Sequence, residues 1–253
     1  MNINYIRPTT LQEALDLLSA PNAIPLAGGT WVNTTEFRRG RSDESDLLLV
    51  DLQALGLNRI HKHGNNLGIG ACATLQQILE CPHSPASLKS AIKLESSLNS
   101  RNAATVAGSL ISCGGRSAFA TAMLALDAKL TFQPGDSETS LGNFLPLREN
   151  HSFGLLINQI SIPLNVKLTF EYVARTPFDQ PIVCAAVAQW TSGRTRLALG
   201  GHGKTPLLAL DGTTSDDIKS AARNGYHEAA DEWASAEYRA DTAAILADRC
   251  LNQ

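Results

Sequence analysis

The apolar positions of this chain change their spacing from segment to segment, and each change predicts an element. Leu11, Ala14, Leu15 and Leu18 fall on one helical face, Thr10 and Glu13 ahead of them have the spacing of a capping box, and Pro21 closes the helix. A short apolar strand through Ile24 and Leu26 breaks at Gly28 and Gly29, and the continuous run DLLLVDL (Asp46–Leu52) predicts a buried strand. NLGIGACAT predicts a further strand, with Thr74 capping a short helix over Leu75–Leu79, and a longer helix is expected over Ala86–Leu98. Ser117–Phe132 reads as a helix running into a strand, and FGLLINQISIPL as a strand ended by Pro163.

From Lys167 the texture changes. KLTFEYVAR, IVCAAVAQW and RTRLALGG predict successive antiparallel strands, with turns at TPFDQP and TSGR. Helices are expected over Ser215–Arg223 and Tyr238–Cys250. The pattern is that of an α+β protein divided near residue 165, the first part itself a small helix-and-strand unit over residues 1–55 and a second unit over 56–165.

Composition narrows the class. The chain has 253 residues, 43% of them hydrophobic, and a net charge of −3, which argues against a nucleic-acid partner because a phosphate backbone needs a basic face. No apolar run approaches the roughly eighteen residues of a membrane span. The opening MNINYIRPTT has no basic-then-apolar order, so no signal peptide is expected. Cys72, Cys81, Cys113, Cys184 and Cys250 are scattered without any C-x-x-C pair, which fits reduced thiols in a cytoplasmic protein and no metal site. The HKH and CPH stretches at His61–His63 and Cys81–His83 read as surface.

Three glycine-containing stretches compete for a phosphate. ALGGHGKTP has the outline of a phosphate loop, but Pro206 and then Gly212 leave no room for the helix whose first turn such a loop needs, so a strand end and a loop are expected. IPLAGGTWVN runs a strand straight into two glycines; Thr30 and Asn33 add a hydroxyl and an amide, and with no lysine present backbone N–H groups would have to meet the charge. RNAATVAGSLIS brings Thr105, Ser109 and Ser112 among Ala103, Ala104, Ala107 and Gly108, a composition equally suited to close helix packing. Two such bends suit a dinucleotide lying between two units, and neither is the G-x-G-x-x-G fingerprint.

These residues, in order, resemble the FAD-binding medium subunit of the molybdenum hydroxylases, the xanthine dehydrogenase and carbon monoxide dehydrogenase flavoprotein family. YIRPTTLQEALDLL is similar to its opening, PLAGGTWVN to its first FAD loop, RNAATVAGSLIS to its second, and LLALDAKLTF to the segment after that loop. FEYVARTPFDQPIVCAAVA, GGHGKTPL and SAEYRADTAAILADRC resemble the strand pair, small turn and closing motif of its last third. Ala107-Gly108-Ser109 stands where the family has G-G-N, Ala118 where many members have an aspartate near the ribose side of FAD, and Glu171 where some have a lysine.

The resemblance implies a two-part FAD-binding domain of the PCMH or vanillyl-alcohol-oxidase type, followed over 166–253 by an antiparallel sheet with helices. It implies FAD contacts from Pro25, Leu26, Ala27, Gly28, Gly29, Thr30, Trp31, Val32 and Asn33, and from Thr105, Val106, Ala107, Gly108, Ser109 and Ser112. Ile157 is expected near the flavin, with Arg175 and Asp179 shaping the loop beside it. The family's electrons pass from a molybdopterin-binding large subunit through a [2Fe–2S] subunit to FAD and on to NAD+ or another acceptor. The expected function is therefore an electron-transfer subunit in a hetero-oligomer, with no catalytic side chain of its own. A stand-alone flavin oxidoreductase and a scaffold that has lost FAD are the alternatives.

Overall fold

The computed structural model describes residues 2–34, 37, 46–148, 154–177 and 179–253. Its elements run β1 (Ile3–Ile6), α1 (Leu11–Leu18), β2 (Ala23–Leu26) and β3 (Leu47–Asp51), then β4 (Ile60–His63), β5 (Asn66–Gly70), α2 (Leu75–Glu80), α3 (Ala86–Glu95), α4 (Leu98–Ala103) and α5 (Val106–Ser112). Next come α6 (Ala118–Ala125), β6 (Lys129–Gln133), β7 (Ser137–Ser140), α7 (Leu141–Leu147) and β8 (Leu156–Pro163). The last third holds β9 (Val166–Val173), β10 (Val183–Trp190), β11 (Thr195–Gly200), β12 (Leu207–Gly212), α8 (Ile218–Asn224) and α9 (Ala236–Asn252).

Caps account for most helix starts. Thr10 Oγ1 accepts from Glu13 N at 3.2 Å, but the Glu13 carboxylate reaches back to Thr9 N at 3.0 Å, so the reciprocal half of the expected box falls one residue early. Thr74 and Gln77 make the complete box, with bonds of 3.1 and 2.8 Å. The helix expected over Ala86–Leu98 ends at Glu95, because Ser96 is extended and Ser97 caps a separate helix that begins at Leu98. Serine hydroxyls offer the backbone an alternative to the helical ladder, and two in a row supply the break.

The first sheet is parallel, with order β1-β3-β2, and Ala14, Leu15 and Leu18 of α1 pack with Val50 beneath it. Pro25 sits in edge strand β2, where its missing N–H leaves no gap in a ladder. The second sheet, order β4-β5-β8-β6-β7, is antiparallel in every pairing, as is the third, β12-β11-β10-β9. LLALDG thus forms β12, a strand absent from the pattern-based expectation, which also lacked β1, β4 and β7.

Alternation along β10 joins the last third to the rest. Cys184, Ala186 and Ala188 share a core with α6, while Val183, Ala185 and Val187 share another with α8 and α9. All eight residues of α6 are buried, as a helix enclosed on every side requires. Its N-terminus is met by the half-buried Glu95, whose carboxylate accepts from Ser117 Oγ at 3.0 Å and Phe119 N at 2.9 Å. Burial pushes the Glu95 carboxyl up, against the lowering effect of those hydrogen bonds.

Replacing Glu95 with alanine leaves the Phe119 N–H without its partner and should cost about 1–3 kcal/mol, read as a lowered Tm. The native state holds the Glu95 proton more tightly than the unfolded chain does. Its contribution is therefore present at low pH and lost as pH rises through the raised native value. Wild-type stability relative to Glu95→Gln should fall over that rise, and a difference that does not vary with pH would contradict the assignment.

Candidate functional site

The carboxyl ends of the three parallel strands face one cleft. After β2 the chain bends through Ala27–Val32, with Gly29 at φ +67°, a left-handed conformation that glycine adopts without cost. The bend is held by Asn33 N to Gly29 O at 3.3 Å and Thr34 N to Trp31 O at 2.9 Å. The N–H groups of Gly28, Gly29, Thr30, Trp31 and Val32 donate to no acceptor among the described residues. A row of free amides on one bend is an anion-binding arrangement.

Gly28 sets how closely the two units approach. A Cβ there would lie 1.8 Å from the carbonyl oxygen of Ala103, at the end of α4. Backbone meets backbone at this point, and no side chain fits between.

The second small-residue stretch is not a loose turn but the start of a capped helix. Thr105 Oγ1 accepts from Gly108 N at 3.3 Å, and Ser109 N bonds to Thr105 O at 2.8 Å. Val106 N donates to Ala73 O at 2.9 Å and Ala107 N to Ala71 O at 3.2 Å. The two bends therefore suit a dinucleotide in unequal ways. The amides of residues 106–109 are already engaged, leaving Thr105 N–H as the free donor of this stretch among the described residues, and the first bend carries the rest. What α5 contributes is a wall.

Two adjoining cavities make up the cleft. The apolar one, about 200 Å³, lies between Pro25–Val32 and α5, and also takes in Ile157 and Cys72. From α5 and its cap it is lined by Thr105, Ala107, Gly108, Ile111 and Ser112. The polar one, about 420 Å³, is bordered by Arg7, Gln53, Asn58, Thr74 and Asn102, and shares Ala27, Gly28, Cys72 and Thr105 with the first. Burial first, and then Asp51, push the Cys72 thiol up to about 11, so it is a neutral wall at neutral pH rather than a nucleophile. A long ligand with flat apolar rings and a charged middle matches this sequence of surfaces.

Not every expected residue lines the cleft. Val106 is buried in the core, and Ser109 and Asn33 border neither cavity. Arg175 and Asp179 also lie outside both. The Arg175 guanidinium sits 4.5 Å from the centre of the Trp233 ring, which Arg116 also approaches at 4.4 Å. Arg116 in turn donates to Gln180 O and Pro181 O, tying this loop to the segment after α5. Ala118 is fully buried in α6, and Glu171 accepts from Gln253 at 2.5 Å.

The GGHGK stretch is the expected strand end and loop. Gly201 N donates to Gly115 O at 2.7 Å, and Gly115 N to Gly203 O at 3.0 Å. The fully buried Arg239 of α9 donates to Ile182 O, to Gly201 O at 2.7 Å and to Asp231 at 2.5 Å, which explains the arginine of the closing motif. Arg7 and Asn102 fall within YIRPTTLQEALDLL and RNAATVAGSLIS but were not among the expected contacts, and Gln53 and Asn58 had no sequence signal; the fold brings all four to the cleft.

A family model described as the FAD binding domain in molybdopterin dehydrogenase matches residues 1–165. The chain belongs to this family. Its cofactor is FAD, and the free amides, apolar walls and glycine contact fit that molecule. YgfM of Escherichia coli (strain K12) is 29% identical over 210 residues, covering 82% of this chain and 77% of that protein. A chain of the reconstituted CO dehydrogenase from Oligotropha carboxidovorans superposes with a TM-score of 0.83 at 23% identity, covering 100% of this chain and 97% of that one. A chain of quinoline 2-oxidoreductase from Pseudomonas putida 86 gives 0.81 at 22% identity, with 100% and 96% covered. The fold is thus the PCMH-like one of FAD-binding oxidoreductase subunits.

Gly28→Ala should displace the bend from Ala103 and strip most of the flavin from this FAD-binding chain, read as the ratio of flavin to protein absorbance after purification. Gly29→Ala, which strains the left-handed position by about 1 kcal/mol, should lower the ratio less. Equal retention by both variants would rule out the Gly28–Ala103 contact as the holding point.

Proposed function

We propose that this chain is the electron-transfer subunit of a cytoplasmic molybdenum hydroxylase complex of the purine or xanthine dehydrogenase kind. It would accept electrons from the [2Fe–2S] clusters of one partner subunit and pass them to NAD+ or another acceptor, while a molybdopterin-binding large subunit oxidises the substrate. Bound FAD supplies the electron exchange itself. The chain supplies grip and enclosure: amides at Gly28–Val32, an apolar wall from Ile111 and Ile157, and site contacts from Pro25, Leu26, Ala27, Thr105, Ala107, Gly108 and Ser112. Arg175 and Asp179 belong to this reading as members of the loop beside the site, held through Arg116 and Trp233.

The observation that carries the reading is the match of the whole chain, and not only its FAD-binding part, to a chain of the Cu,Mo-containing CO dehydrogenase, at a TM-score of 0.84. The last third shares a core with α6 besides its own with α8 and α9, which is in keeping with a domain that accompanies the FAD-binding part rather than one with a substrate pocket of its own. That favours a subunit over a stand-alone oxidoreductase.

Affinity purification from the native host should recover the chain with flavin absorbance and with two partners, one carrying [2Fe–2S] clusters and one carrying molybdopterin. Released flavin should be FAD. A flavin-loaded chain that turns over a substrate alone would favour the stand-alone enzyme, and a chain without flavin would favour the scaffold.

A further inference from the structure

The first bend carries no lysine or arginine, yet the diphosphate of FAD brings two negative charges into the cleft. Among the described residues, one cation lines either cavity: Arg7. It follows β1 directly, so it stands at the same carboxyl edge of the parallel sheet as the bend after β2, the edge where ligands of such sheets gather.

The surroundings of Arg7 are arranged to aim it. Asp51, 3% exposed at the end of β3, accepts from the Tyr5 hydroxyl through Oδ2 and from Gln53 N through Oδ1 at 2.9 Å. Arg7 Nε lies 3.7 Å from Asp51 Oδ2, an ion-pair distance longer than a hydrogen bond. Asp51 therefore steadies the near end of Arg7 by charge, while the side chain stays 52% exposed and its outer N–H groups have no acceptor among the described residues. Gln53 links the two sides, donating through Nε2 to Ala27 O at 3.2 Å, the carbonyl just before the free amides.

We propose that Arg7 is the cation that pairs with the FAD diphosphate, positioned by Asp51, with the amides of Gly28–Val32 as the remaining donors. A guanidinium offers a planar pair of donors to phosphate oxygens, and the pairing answers charge that neutral amides alone leave uncompensated. The inference rests on FAD binding and is independent of the partner subunits and the acceptor.

The test titrates flavin-stripped full-length chain with FAD and with riboflavin, which has the same ring and no phosphate, following flavin fluorescence. Arg7→Gln should raise the Kd for FAD by about tenfold to a hundredfold and leave that for riboflavin unchanged. Arg7→Lys should recover part of the loss, and added salt should weaken FAD binding to wild type more than to Arg7→Gln. An FAD Kd within about twofold of wild type would overturn the proposal, as would equal weakening of FAD and riboflavin, which marks Arg7 as a support for Asp51 alone. If Arg7→Gln does not fold, Arg7→Lys decides: a several-fold loss for FAD but not riboflavin supports the pairing, and no difference overturns it. Wild-type chain that binds neither flavin would remove the FAD assignment itself.

Discussion

Everything at the site depends on two backbones touching with nothing between them. Because Gly28 has no side chain, the bend after β2 can rest on the carbonyl of Ala103, and that contact sets the distance between the parallel sheet and the helices opposite. The free amides then face a cleft of fixed width. Any other residue at this position would separate the units by at least a methyl group, and the polar and apolar cavities would no longer adjoin. The apolar cavity is accordingly lined by main chain and uncharged side chains.

The same economy recurs where the helical unit meets the last third. Gly115 and Gly201 bond through their backbones, and Arg239, fully buried, caps the carbonyls of Ile182 and Gly201. Arg116 and Arg175 approach one tryptophan ring, and Arg116 fixes the carbonyls of Gln180 and Pro181. These links run between the helical unit and the last third, so the loop bearing Asp179 has its place set by groups from three separate stretches of chain.

Legibility in the sequence followed burial and local chemistry. Strands with strong alternation or continuous apolar runs, β3, β8, β9, β10 and β11, were readable, as were helices with a capping hydroxyl such as Thr10 and Thr74. Strands whose place comes from neighbours were not: β1 is exposed at all four positions and is held by its ladder with β3 and by the Tyr5 hydroxyl on Asp51. The first bend stands out as glycines that follow an apolar strand, but paired glycines are common in turns, so its reading as a cofactor loop came from the family resemblance. The second was misjudged in detail, since Thr105 reads equally as a turn hydroxyl and as a helix cap, and only the bonds to Ala71 and Ala73 distinguish them. Arg7 falls within the opening motif YIRPTTLQEALDLL, but its place at the cleft follows from strand order.

The alternation of β10 has a practical corollary. With alanines and a cysteine on the side facing α6, the strand lies nearly flush against that helix, and neither partner presents a surface suited to water. A shortened chain ending at residue 165 would uncover the whole flank of α6, an unbroken greasy stripe. The final third therefore does two jobs at once, keeping water from this helix while holding a core of its own with α8 and α9.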